Sequence, residues 1–296
     1  MVAWRLRSSF SRGSISPPSA FPFVTHDQGR ETLRRYFRPY LDIAATRHVG
    51  FVLDTPTWRA NADWGKTLGY SPEALVRINR ASVEFALELR SAYSGMAAPI
   101  IVNGVLGPRG DGYKVETRMS AIEAERYHHP QVEALRAGGA DMVSAITMTY
   151  PEEAIGIARA AAANGVPAVI SFTVETDGRL PSGDTLQEAI EAVDRASGVA
   201  LAYYMVNCAH PTRFESALAA GGLWLDRIRG LRANASTMSH AELDAATELD
   251  AGDPNDLGRR YRDLRRSLKG LCVVGGCCGT DHRHVAAICE ACMSTL

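Results

Sequence analysis

Helical spacing and short apolar runs alternate along this chain from Gly29 to its C-terminal end, and few folds accommodate such a pattern. Residues 31–47 carry Leu33, Tyr36, Phe37, Tyr40, Leu41 and Ala44 at helical spacing, and 49–53 then reads as a strand. Helices are expected over 72–93, 120–137, 151–164, 185–196, 211–220, 254–267 and 281–292. Strands are expected over 99–105, 141–146, 168–173, 199–206, 271–274 and, more weakly, 228–231. Ser71 before Pro72 is an N-cap signature, and Gly165 closes the helix before it. About seven helix–strand repeats of this kind build a parallel sheet.

With 296 residues the chain is long enough for a closed (β/α)8 TIM-type barrel. The strands that can be placed are the second to the eighth of such a barrel. The first is missing or atypical, because residues 1–19 lack apolar alternation and are broken by Gly13 and Pro17-Pro18. An open doubly wound sheet competes, but no Gly-x-Gly-x-x-Gly follows an early strand. The expectation is therefore α/β, one barrel domain over 27–296, preceded by an atypical or flexible leader over 1–26. That leader carries Arg5, Arg7, Arg12 and many serines, with no acidic residue before Asp27. Transit peptides share this bias, as do plain flexible leaders and misplaced start sites.

A formal net charge of −1 gives no electrostatic case for nucleic acid or an anionic membrane as a partner. No apolar run approaches the ~20 residues that cross a bilayer. Six cysteines without regular spacing fit a reducing compartment, hence a cytoplasmic protein.

Three of those cysteines are placed for chemistry. Cys277 and Cys278 lie in Gly275-Gly276-Cys277-Cys278-Gly279-Thr280, directly after an apolar run and before a helix, and Cys208 ends another run in Val206-Asn207-Cys208. Adjacent cysteines rarely bridge each other, and glycine on both sides fills a core poorly. In a barrel both positions are strand ends on the rim where active sites are built, separated by one short strand. Three thiolates with no fourth protein ligand describe a zinc site with an open position. A thiol bound there loses its proton and can attack a methyl group on a positively charged sulfur or nitrogen. Cys272, Cys289 and Cys292 read as packing. His128, His129 and His240 show no ligand spacing, His282 and His284 read as solvated residues at a helix start, and His210 is placed beside the ligands rather than among them.

These residues resemble the homocysteine S-methyltransferases, a family of zinc-dependent barrels. The Gly-Gly-Cys-Cys-Gly-Thr and Val-Asn-Cys segments carry the resemblance, supported by Leu106-Gly107-Pro108, by Ile170-Ser171-Phe172-Thr173, and by Gly178, Gly183 and Asp184. The resemblance implies that Cys208, Cys277 and Cys278 hold Zn(2+), that the acceptor thiolate is its fourth ligand, and that homocysteine becomes methionine. It also implies a role in methionine biosynthesis, with a sulfonium, betaine or methylfolate donor left open. Two departures stand out. Nothing before Phe21 matches the family's Asp-Gly-rich first turn, and the position of a glutamate that meets the substrate's ammonium is held by Ile146.

On the strand-end loops, Thr57, Asn103, Thr147, Glu175 and Asn207 are the expected substrate contacts, Glu175 standing in for the glutamate. The expected partners are a small thiol acceptor and a methyl donor. A barrel lacking its first strand exposes two sheet edges. Either the leader or a second copy covers them, or the chain is a shortened barrel, with truncation the most economical account. The alternatives to homocysteine methylation are transfer to another thiol and a zinc-binding barrel without turnover.

Overall fold

The computed structural model describes residues 20–95, 98–115, 117–198, 201–239, 242 and 245–293. Seven parallel strands follow one another in chain order across a single curled sheet, a TIM-type barrel without its first strand. They are β1 (Phe51–Asp54), β2 (Ile100–Leu106), β3 (Met142–Met148), β4 (Ala168–Phe172), β5 (Tyr203–Asn207), β6 (Ile228–Ala233) and β7 (Val273–Gly276). All seven residues of β3 are buried, as a parallel strand covered on both faces requires. The weakly expected strand near 228–231 is a full member, pairing with β5 on one side and β7 on the other.

Helices α1 (Asp27–Arg47), α2 (Ala62–Thr67), α3 (Pro72–Ala92), α4 (Ala121–Ala137), α5 (Pro151–Ala163), α6 (Leu186–Ser197), α7 (Glu215–Ala219), α8 (Pro254–Leu264) and α9 (His282–Met293) join the strands. Their ends are written locally. Ser120 with Glu123, and Thr185 with Glu188, form reciprocal capping boxes that satisfy amides with no partner inside the helix. Ser71 accepts from the Ala74 amide at 3.2 Å, and Pro72 needs no donor at that position. The short α2 was not foreseen; Asn61 caps it through the Trp64 amide at 3.2 Å.

Among the described residues β1 and β7 are the sheet edges, and no strand pairs with the outer side of either. Side chains from α1 stand at this seam. Tyr40 meets the ring of His282 edge-on at 6.3 Å, and Arg47 pairs with Glu290 of α9 at 3.2 Å. Tyr36, its phenol driven up by burial, feels the charges of Arg232 and Asp54. Residues 1–19 of the expected leader lie outside the described residues. Phe21–Thr25 forms a 3-10 turn whose Phe21 and Val24 are buried in the main core, Phe21 against Tyr70 at 5.5 Å. No helix of the described residues is long and apolar enough to cross a membrane.

Candidate metal centre

The sulfurs of Cys208, Cys277 and Cys278 all lie within 4.8 Å of one another at the mouth of the sheet. They form the one group of three or more candidate ligands found among the described residues. Cys208 follows β5, and the pair follows β7, so the one intervening strand β6 ties both turns together. Cys208 N–H donates to the Arg232 carbonyl at 3.1 Å, and Cys277 N–H to the Ala233 carbonyl at 2.8 Å. Asn234, next along, closes the arrangement. Its Oδ1 accepts from the Cys278 amide and its Nδ2 donates to the Cys208 carbonyl, each at 3.0 Å. Asn234 is buried, so both bonds work in a dry environment.

Two glycines make the pair's turn possible. A Cβ on Gly276 would collide with Thr280, whose hydroxyl reaches the Cys277 carbonyl at 2.7 Å. Gly279 has φ +80°, a backbone that side chains rarely tolerate. Cys208 itself has φ +54° and Thr147, two strands away in β3, φ +69°. Non-glycine residues in this region carry strain and concentrate at functional sites. Here the strain aims two side chains at each other, Thr147 Oγ1 lying 3.9 Å from Cys208 Sγ.

Zinc with sulfur bonds of ~2.3 Å and tetrahedral angles separates its sulfur ligands by about 3.8 Å. Cys208 and Cys278 sulfurs stand 4.0 Å apart. Cys208 and Cys277 are joined sulfur to sulfur, with Cα atoms 5.4 Å apart. Reduced, this trio is the soft donor set that zinc prefers, drawn from fixed strand ends. Among the described residues no histidine completes it. His210 Nδ1 is spent on Thr212 at 2.9 Å, and His284 on Asp281 and the Ala251 carbonyl. Of the remaining cysteines, Cys289 and Cys292 are buried on α9 as expected, and burial pushes both thiols up. Cys272 differs: it is exposed one residue ahead of β7 rather than packed inside.

The expected substrate contacts fall in different places. Thr147 touches the sulfur group, and Asn207 holds it there, accepting from the Thr147 amide at 3.0 Å and donating to its hydroxyl at 2.8 Å. Thr57 donates to the Val105 carbonyl at 2.7 Å, a bond that ties the β1 loop to β2. Asn103 lies deeper, donating to Asp54 at 2.7 Å and accepting from Ser144 at 2.9 Å. Glu175 is half-buried in a turn after β4 closed by its own backbone with Arg179 and Gly178.

Three contributors were not foreseen. Tyr113 places its hydroxyl 3.7 Å from Cys208 Sγ and 3.6 Å from Cys278 Sγ. Trp58 donates its indole N–H to the Ile146 carbonyl at 3.0 Å, and a Cβ on Gly107 would strike it. The third is Asn234. Only the glycines around Trp58 and Tyr113 hinted at this crowding, since loop geometry brings the rest together.

The profile of the family described as homocysteine S-methyltransferase matches residues 11–292. Among solved structures, the oxidized form of the homocysteine methyltransferase MmuM from Escherichia coli superposes with a TM-score of 0.74 at 21% identity. The match covers 91% of this chain and 86% of that one. The metallated form of the same enzyme gives 0.71 at 20% identity, over 92% and 87% of the two chains. These likenesses concern the fold. No protein of curated function matches the chain.

Proposed function

The chain belongs to the homocysteine S-methyltransferase family, and from that premise we propose that it is a zinc-dependent S-methyltransferase acting on a small thiol. Homocysteine is the first acceptor to test, because the family is described by it. One observation carries the reading: three cysteine sulfurs converge at the mouth without a fourth protein ligand among the described residues. A zinc ion held by Cys208, Cys277 and Cys278 would keep an acceptor sulfur deprotonated at neutral pH.

The chain's own residues do the rest. Asn234 and the β6 backbone hold the two cysteine turns in register, so the sulfur spacing does not depend on the ion alone. Tyr113 O–H and Thr147 O–H lie against the sulfurs and temper their negative charge. Trp58 and Ile146 line the neighbouring wall with apolar surface, which keeps water from a nucleophilic sulfur. In the transfer, a carbon–sulfur bond forms to the acceptor as the methyl's bond to the donor breaks. The departing donor keeps that electron pair, and a cationic sulfonium or ammonium donor leaves neutral.

Metal analysis with single substitutions tests the reading. Wild-type protein should carry about one zinc per chain. Cys208→Ala, Cys277→Ala and Cys278→Ala should each lower zinc content and abolish methyl transfer. Zinc retained at wild-type level in all three variants would show that the ligands lie elsewhere.

A further inference from the structure

The interior of the barrel holds a charge pair that its packing does not require. Asp54 on β1 and Arg232 on β6 face each other at 3.0 Å, their side chains 1% and 3% exposed. Buried ion pairs are costly to desolvate, and apolar residues of similar volume often serve a core better. The pair spans the open seam. Arg232 is level with Gly275 of β7, which presents no side chain between the two strands. Asp54 Oδ1 accepts from Asn103 at 2.7 Å, but Oδ2, although beside Arg232, accepts no hydrogen bond. A fully buried carboxylate oxygen with an unmet acceptor site is suited to one more donor.

The pair is also close to the sulfurs along the chain. Arg232 gives its carbonyl to Cys208, and its neighbour Ala233 gives one to Cys277. An acceptor whose sulfur sits at the cysteines and whose chain has two methylenes puts its head one to two strand residues deeper, ~3–7 Å. On the opposite wall Ile146 packs with Val105, Val169, Met205 and Trp58, and the polar side chains there carry no charge: Ser144 is bonded to Asn103 and Ser171 to Asn207.

We propose that Asp54 and Arg232 form the acceptor-head site of this barrel, Arg232 taking a carboxylate and Asp54 an ammonium. The acceptor class is then an ω-thiol α-amino acid, read from the β1–β6 side of the mouth. The inference rests on the thiol methyltransferase reading and adds to it which groups choose the thiol.

Four thiols of one chain length separate the contributions: homocysteine, 4-mercaptobutanoate, 3-aminopropanethiol and propanethiol. The full chain is loaded with cobalt(II), and each thiol is titrated through its sulfur-to-cobalt charge-transfer band. Wild type should bind homocysteine at least tenfold more tightly than either singly charged analogue, because each charge-assisted contact contributes separately. Arg232→Met should weaken the two carboxylate-bearing thiols by about tenfold or more and spare 3-aminopropanethiol. Asp54→Asn should do the reverse. Since breaking a buried pair can unfold the protein, Asp54→Leu with Arg232→Met removes both charges together. That double variant should fold, take up cobalt and bind all four thiols with similar affinity. If it folds and still prefers homocysteine, the pair is structural and the inference is overturned. A wild-type cobalt protein that binds thiols without regard to the head overturns the inference alone. One whose spectrum no thiol perturbs overturns the methyltransferase reading beneath it.

Discussion

Thr147 near the end of β3 and Cys208 just after β5 meet at the mouth of the barrel over the intervening β4, each at positive φ, with hydroxyl and sulfur 3.9 Å apart. Local sterics favour neither conformation. Asn207 holds Thr147 by two hydrogen bonds, and strand β6 holds Cys208 through its amide. Thr147→Gly removes the strain, about 1 kcal/mol, and also the hydroxyl's hydrogen bond from Asn207, worth a similar amount. Urea unfolding should therefore change by no more than about 1 kcal/mol. Chelator competition should show weaker zinc binding, by roughly tenfold. A stability loss well above that, with zinc affinity intact, would make Thr147 a fold residue only.

Asn234 serves two turns with one side chain, so its loss should be felt in both. Asn234→Ala leaves the Cys278 amide and the Cys208 carbonyl without their partners at a buried position. The expected cost is about 2–4 kcal/mol from two lost buried hydrogen bonds. Zinc affinity should fall between 10-fold and 100-fold, the range typical of residues that orient ligands. Asn234→Asp keeps the acceptor but turns the donor to Cys208 into a second acceptor, and should recover little. Thermal unfolding of the apo and zinc-loaded forms checks both: stabilisation by zinc should shrink in each variant.

The pairing of Cys208 with Cys277 makes metal uptake depend on the thiol state. Paired sulfurs have no thiolate to give, and Cys278 alone holds zinc weakly. Protein reduced with a phosphine under argon should take up about one zinc per chain, whereas protein oxidised with diamide should take up little. Thiol titration before and after oxidation should fall by two groups. Equal zinc loading in the two states would mean that Cys208 and Cys277 are not both ligands.

Much of this arrangement is legible in the sequence, for reasons that differ by element. β3 reads clearly because every residue from Met142 to Met148 is buried and all but Ser144 and Thr147 are apolar. The capped helices read clearly because Ser120 with Glu123, and Thr185 with Glu188, are local signals. β6 reads weakly because Arg229, Gly230 and Arg232 interrupt its apolar pattern. Arg232 is nevertheless buried, since Asp54, far away in sequence, meets its charge. The cysteine trio is legible once strand ends are placed on one rim. Tyr113 is not, because its reach to two sulfurs depends on the path of an irregular loop whose only sequence mark is its glycines.

The boundary of the folded unit is the last point that a single substitution can decide. A leader extending through residue 26 predicts that nothing before Asp27 matters to stability. Phe21, however, is fully buried, meets Tyr70 edge-on at 5.5 Å and belongs to the same core as Leu33 and Phe37 of α1. Truncating a buried phenylalanine to alanine removes its transfer energy and leaves a cavity, about 3–5 kcal/mol together. Phe21→Ala should therefore lower stability by that order, with the metal-bound fraction falling only as far as unfolding dictates. Pro22→Ala, whose half-buried ring sits beside it, serves as the control and should change stability by less than about 1 kcal/mol. Denaturant unfolding of the two variants against wild type reads the difference directly. If Phe21→Ala unfolds at the wild-type midpoint, the turn at 21–25 is an appendage and the domain begins at α1.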